Sequence, residues 1–240
     1  MRIIVILLII GLVLCSKAAY AGIVVMWELP ARKMHFKVEY ENAENVRMSI
    51  EDNLYLLVRG SNIYVINEGS VTDVNAFRDK IKDWAIVHFL ADRMDARSKK
   101  IPAPGTLKST GRTEVVAGIQ GDVYHTEITD PESGKKEQRD IVLTTDIRLV
   151  KLKQAMQEIS NRNMKTFHNH GFTHMRDSFN QSFPPDVAIL RYDTKFYVAS
   201  VTEKTLAPER FQLPEGSEIK DLPSLSDLST FIRLATPFAY

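Results

Sequence analysis

The strongest constraint on the fold is a strict alternation of apolar and polar residues over residues 34–40. The alternation repeats over residues 46–51, and two more strand-like runs follow at residues 54–59 and 62–67 after short polar turns. A period of two is typical of a strand in a sheet with one face in water, and tight turns join only antiparallel neighbours. The sequence therefore predicts an antiparallel meander.

The period changes to three and four residues after Gly69. An amphipathic helix is predicted from Asp73 to about Arg97, capped by Thr72 or Asp73. Its apolar stripe is broad, as expected of a helix that lies across a sheet. Residues 98–109 break both periods and are predicted to be a loop.

A second series of strands and helices occupies the rest of the chain. Strands are predicted at residues 113–117, 122–129 and 137–144, with a turn at residues 118–121. A helix from about Asp146 to Asn163 follows, then strands at residues 187–190 and 196–203. A short final helix is predicted to begin at the capping box of residues 224–227.

The N-terminus has the features of a secretory signal peptide. Arg2 precedes an uninterrupted apolar run over residues 3–14, and small residues flank Tyr20. Residues 1–21 are predicted to be removed, which leaves residues 22–240 as a single periplasmic domain. The apolar run is too short to span a membrane. Lipidation at Cys15 is the competing interpretation, although bulky Leu14 precedes that cysteine.

Charge and composition exclude several classes of protein. Removal of the signal takes away the single cysteine and leaves 29 basic residues against 30 acidic ones. Nucleic-acid binders usually carry a marked basic excess, so none is expected as a partner. Thiol catalysis and thiolate zinc sites need cysteine. Because no catalytic motif is present either, we expect a non-enzymatic protein without a cofactor.

Three histidines form the one cluster with metal-binding chemistry. His168, His170 and His174 lie close together, and His170 and His174 would share a face of a helix. Gly171 weakens that helix, and no carboxylate or thiolate completes a ligand set before Asp177. A polar surface loop is the favoured interpretation, and no metal site is predicted.

Several segments resemble an exported bacterial domain family of unknown function. That family is placed near the periplasmic lipoprotein-carrier superfamily of the LolA and LolB type. The chain departs from it in having Gly121-Asp122 where members often carry a cysteine, and residues 167–182 have no counterpart. The resemblance is carried by residues 34–68, by residues 113–144 with Ala117-Gly118-Ile119 and Val123-Tyr124, and by residues 202–216 with Phe211-Gln212-Leu213-Pro214-Glu215-Gly216.

The resemblance implies an α+β fold, a strongly curved antiparallel sheet like an open half-barrel with helices packed on its concave face. In the carrier superfamily such a sheet encloses a cavity for acyl chains. The leading hypothesis is therefore a binding or chaperone-like protein for a lipid, a lipoprotein or another apolar ligand. The candidate lining residues are Phe36, Val38, Tyr40, Val46, Met48, Ile50, Phe77, Ile81 and Trp84.

Two alternatives remain open at this point. The same residues at the same spacings are what a filled core contains, and the general tendency of apolar stripes favours core over cavity. The second functional hypothesis is a non-catalytic scaffold or envelope-complex subunit that binds another envelope protein through a surface patch or a free sheet edge.

Overall fold

The computed structural model describes residues 22–81, 106–129, 135–164 and 183–220, which form strands and a few helices. The strands are β1 (Gly22–Leu29), β2 (Met34–Asn42), β3 (Asn45–Glu51), β4 (Leu54–Arg59), β5 (Asn62–Asn67), β6 (Ser70–Asp73), β7 (Lys108–Val116), β8 (Ile119–Thr129), β9 (Lys136–Thr144), β10 (Ala188–Tyr192), β11 (Phe196–Lys204) and β12 (Ile219–Lys220). The helices are α1 (Val74–Ile81) and α2 (Ile147–Met164), and two 3-10 turns cover Pro30–Arg32 and Pro208–Phe211.

All these strands belong to one open sheet in the order β12-β6-β5-β4-β3-β2-β1-β11-β10-β9-β8-β7. Strands β1 to β6 form one antiparallel meander and β7 to β11 form a second. The two are joined where β1 pairs with β11, with Val24 opposite Thr202. Strand β12 is the exception, because it pairs with β6 in parallel.

The predicted antiparallel sheet is thus confirmed. Strands β2 to β5 and β9 to β11 lie within about two residues of their predicted bounds. Strands β1, β6 and β12 were not predicted, and residues 108 and 109, which were predicted to lie in a loop, begin β7. Residues 106 and 107 lie outside regular structure, as the predicted loop requires. Residues 98–105 of that loop lie outside the described residues, as do the predicted helix beyond residue 81 and the final helix.

The hairpin between β7 and β8 is tighter than predicted. Val116 pairs with Ile119, so the turn consists of Ala117 and Gly118 alone. Both residues have positive φ angles, 51° and 76°, which is the backbone of a two-residue hairpin turn. Residues 119–121, assigned to the turn from sequence, are therefore in strand β8.

Two helices are capped by aspartates that precede them. Asp73 Oδ1 accepts hydrogen bonds from the backbone N–H groups of Asn75 and Ala76, at 2.8 and 3.0 Å, and so caps α1 as predicted. Asp146 Oδ1 accepts from the N–H of Arg148 at 3.0 Å at the start of α2. In each helix the aspartate thus bonds N–H groups of the first turn, which have no partner within the helix, and this sets where the helix begins.

The sheet has a separate apolar core on each of its two faces. Alternate residues of β1 to β5, such as Phe36 and Leu56, contribute to a large core that also contains residues of α2. The residues between them, such as Leu57 and Ile66, form a smaller core with Leu206 and Phe211. The expectation of one face in water is therefore wrong in this half of the sheet, because the chain that follows β11 covers the second face.

Candidate functional site

The residues predicted to line a ligand site lie largely on one face of the sheet. Phe36, Val38, Val46 and Met48 are buried in the larger core, and Tyr40 and Ile50 pack against it while partly exposed. Phe77 is half-buried on α1, and Ile81 is the last residue of that helix. Trp84 lies outside the described residues. Strands β2 and β3 thus bring six of the nine predicted residues together, because alternate residues of each strand lie on the same face.

The partly exposed rim of this face is rich in aromatic and sulphur-containing side chains. Trp27 of β1 lies beside Phe36 of β2, with ring centroids 6.0 Å apart and planes tilted by 47°. Met34 and Ile50 also pack on the core while partly exposed. We call Trp27, Met34 and Ile50 the apolar rim. Methionine and aromatic side chains can adapt to irregular apolar partners.

Helix α2 packs on the same face. Leu149, Leu152 and Ile159 belong to the same core as Phe36 and Val38. Salt bridges fix the start of the helix, because Arg148 bonds Asp146 at 2.6 Å and lies 3.6 Å from Glu203 of β11. The Arg148 guanidinium lowers the pKa of Asp146 by hydrogen bonding to it.

Tyr40 marks the end of this face that lies near α2. Burial raises the pKa of the Tyr40 phenol, and the negative charge of Glu158 on α2 raises that pKa further. The hydroxyl therefore stays neutral and keeps its proton at ordinary pH. A neutral phenol at the edge of an apolar surface can donate a hydrogen bond to the polar end of a ligand.

The second face contains a charged cluster that the sequence analysis did not identify. Glu39 is almost fully buried and accepts a hydrogen bond from Arg210, and Arg47 Nε lies 3.7 Å from the same carboxylate oxygen. The Arg47 guanidinium lies 3.6 Å from the ring centroid of Tyr55 and donates to the backbone oxygen of Asp52 at 3.0 Å. The only sequence signal was the placement of Glu39 and Arg47 at the polar positions of two neighbouring strands.

Ion pairs connect the strands at the other end of the sheet. Arg191 of β10 bonds both carboxylate oxygens of Glu114 on β7, at 2.6 and 2.7 Å. Arg139 bonds Asp193 in the turn that follows β10. The Arg191–Glu114 pair ties together two strands that are not neighbours in the sheet, and its charge-assisted bidentate bonds are the strong kind.

One histidine joins this network of ion pairs. His125 Nδ1 lies 2.7 Å from Asp140 Oδ1 on the adjacent strand, and Arg112 lies 3.5 Å from the other oxygen of Asp140. Within the described ranges, no group of three or more His, Cys, Asp or Glu side chains is placed to hold a metal ion. The histidines predicted to form a surface loop, His168, His170 and His174, lie outside those ranges.

Comparison with known proteins finds no relative. No protein-family model matches the chain, and neither a curated protein nor a solved structure matches it. In the part of the chain that the structure describes, no helix is both long and apolar enough to cross a membrane. Any function must therefore be argued from the two faces of the sheet.

Proposed function

We propose that this protein is an exported, periplasmic binding or chaperone-like protein for an apolar ligand such as a lipid or a lipoprotein. The observation that carries the proposal is the apolar rim. Trp27, Met34 and Ile50 are partly exposed beside a continuous core on the same face. Contiguous exposed apolar surface on a soluble protein often marks a binding site.

In this proposal the sheet curves around its larger core as an open half-barrel. Helix α2 and the helix that begins with α1 would cover the concave side, and the ligand would enter at the rim. The buried residues Phe36, Val38, Val46 and Met48 would form the floor of the site, with Tyr40 at its far end. The ion pairs of Arg148 at the start of α2 would hold the helix in place while the rim accommodates the ligand.

Tryptophan fluorescence offers a direct test at the rim. The chain has two tryptophans, Trp27 and Trp84, so a Trp84→Phe variant of the mature protein reports on Trp27 alone. Bromine quenches indole fluorescence only at close range, and the probe is 9,10-dibromostearate below its critical micelle concentration. We expect saturable quenching by dibromostearate, and none by bromide ion at the same concentration.

Matched variants separate rim binding from nonspecific contact. Met34→Gln places an amide at the rim, whereas Leu213→Gln places one at a half-buried position beside the smaller core. We expect Met34→Gln to weaken dibromostearate binding by about tenfold, because a polar group is buried without a partner. Leu213→Gln should leave the affinity unchanged. Absence of quenching in a folded Trp84→Phe protein, or equal effects of both substitutions, would contradict the proposal.

A scaffold role is the second candidate, and one observation favours it. Strand β7 is the terminal strand of the described sheet, and Val115 on it is 67% exposed. A free strand edge with an exposed apolar side chain can accept a strand from another protein. Co-purification of an envelope protein that is lost in Val115→Lys but retained in Met34→Gln would support this role over ligand binding.

A further inference from the structure

The chain after β11 forms a strap across the second face of the sheet. We define the strap as residues 205–220, from the end of β11 through the Pro208–Phe211 turn to β12. Its side chains Leu206 and Phe211 are buried, at 6% and 4% exposure. They share the smaller core with Val24, Tyr55, Leu57, Tyr64, Ile66 and Val71 of the sheet.

One ionic anchor fixes the middle of the strap. Arg210 donates to Glu39, whose side chain is 4% exposed, and Arg47 of the sheet approaches the same oxygen. Two guanidinium groups therefore share one buried carboxylate. Burial lowers the pKa of Arg47, and the nearby positive charge of Arg210 lowers it further.

The anchor is also incompletely bonded. Among the described residues, the Nε atoms of Arg47 and Arg210 are buried and have no hydrogen-bond acceptor. A buried donor without an acceptor destabilises the state that buries it, because its bond to water is lost and not replaced. The cluster therefore specifies where the strap lies but holds it weakly, as expected when the desolvation of ions offsets their attraction.

Among the described residues, the far end of the strap is held mainly by two backbone pairings. In β12, Ile219 pairs with Val71 and Lys220 with Thr72. Both β12 residues are exposed, Ile219 to 50%. By contrast, the strands beneath the strap are paired over their whole length and have fully buried residues such as Leu57.

We propose that the strap is a displaceable latch. When closed, it covers an apolar surface of the same molecule, which we call the seat. When the latch opens, the seat binds an extended apolar peptide. The two cores are separate, so loss of the strap removes Leu206 and Phe211 while leaving the larger core intact. Opening uncovers the edge of β6 together with an apolar surface. That combination binds extended peptides by strand addition, and the strap itself shows which side chains fit.

Hydrogen exchange on the wild-type mature protein tests the opening without any substitution. The amides of Arg210 and Gln212 are hydrogen-bonded inside the strap, to the backbone oxygens of Ala207 and Glu209. We expect these amides to exchange at least about a hundredfold faster than amides of β4 and β5, with little dependence on low urea concentrations. If strap and sheet amides share one exchange free energy and one urea dependence, the latch does not exist.

An arginine pair of variants tests the anchor. Arg210→Gln removes the charge that bonds Glu39 and should raise the rate of strap exchange about tenfold to a hundredfold. Arg191→Gln removes a comparable arginine that bonds Glu114 far from the strap, and should leave strap exchange unchanged. Equal strap exchange in Arg210→Gln and wild type would refute the anchor.

A synthetic peptide tests the seat. A fluorescent peptide with the sequence of residues 205–220 is titrated with the full-length mature protein that carries Arg210→Gln and Phe211→Ala. We expect this variant to bind the peptide at least about tenfold more tightly than wild type does, because its own strap competes less. A control peptide with the same two substitutions should not bind. Failure of the wild-type peptide to bind a variant whose strap exchanges freely would overturn the proposed seat.

The latch lies on the face opposite the apolar rim. An experiment can therefore refute ligand binding at the rim without refuting the latch, and the reverse also holds. Dibromostearate quenching of Trp27 reports on the rim, whereas exchange at Gln212 reports on the strap.

Discussion

Truncation of Phe36 measures how completely the larger core is filled. The ring is 1% exposed and lies beside Trp27 at 6.0 Å. Phe36→Ala should therefore lower the free energy of unfolding by about 3–5 kcal/mol, the usual cost of removing a fully packed aromatic ring. Urea unfolding of the mature protein, followed by far-ultraviolet circular dichroism, gives this value from the midpoint and slope.

A double-mutant cycle isolates the contact between the two rings. Phe36→Leu keeps most of the apolar volume, and combining it with Trp27→Leu measures the coupling between positions 27 and 36. We expect a coupling of about 0.5–1.5 kcal/mol, as found for aromatic pairs beyond their buried area. A loss below about 1 kcal/mol for Phe36→Ala would show that the ring lines a space rather than a packed core.

Three further predictions concern other parts of the chain. Gly121→Ala should destabilise the protein by about 1–3 kcal/mol in urea unfolding, because an added Cβ would lie 2.7 Å from the backbone oxygen of Leu143, which cannot move away freely. Asp146→Ala should cost about 1 kcal/mol by loss of the α2 cap. Because the pKa of Asp146 is lowered on folding, its carboxylate stabilises the protein above its unfolded-state pKa near 3.8, and that contribution is lost as the pH falls through the lower folded-state value. Asp146→Asn should therefore flatten the acid limb of a stability profile, whereas a profile identical to wild type would contradict the role of the carboxylate. N-terminal sequencing of the exported protein should begin at Gly22, and a diacylglycerol-modified Cys15 would refute cleavage there.

The alternation of residues 34–51 predicts strands β2 and β3, and the short strand-like runs that lie between polar turns at residues 54–59 and 62–67 predict β4 and β5. Strand β1 escapes the same logic. Its residues 23–27 are uniformly apolar and closely follow the predicted signal peptide, so no alternation marks them. A strand with both faces covered gives a continuous apolar run rather than a period of two. The runs at 54–58 and 63–66 carry the same signal, and they would have predicted a covered second face.

The candidate site was predictable only where it follows from strand alternation. Phe36 and Val46 lie on one face of the sheet because their strands pair. The period of two predicts this, since alternate residues of each strand lie on the same face. The cluster around Glu39 was not predictable, because Arg210 is 171 residues away along the chain and local spacing gives no sign of their meeting. Such long-range charge pairs depend on the path of the strap, which no local pattern determines.

The pairing of β1 with β11 has a consequence for how the chain reaches its folded state. Val24 lies opposite Thr202, so β1, the first of the described strands to be synthesised, finds one of its two neighbours only after β11 has followed. Folds with such distant pairings have high contact order and fold slowly, on the scale of milliseconds to seconds. Until β11 arrives, β1 is an unpaired and largely apolar edge that other chains can join. We therefore expect nascent protein to depend on holding factors until β11 has been made, and variants that weaken β11 to aggregate before they lose native stability.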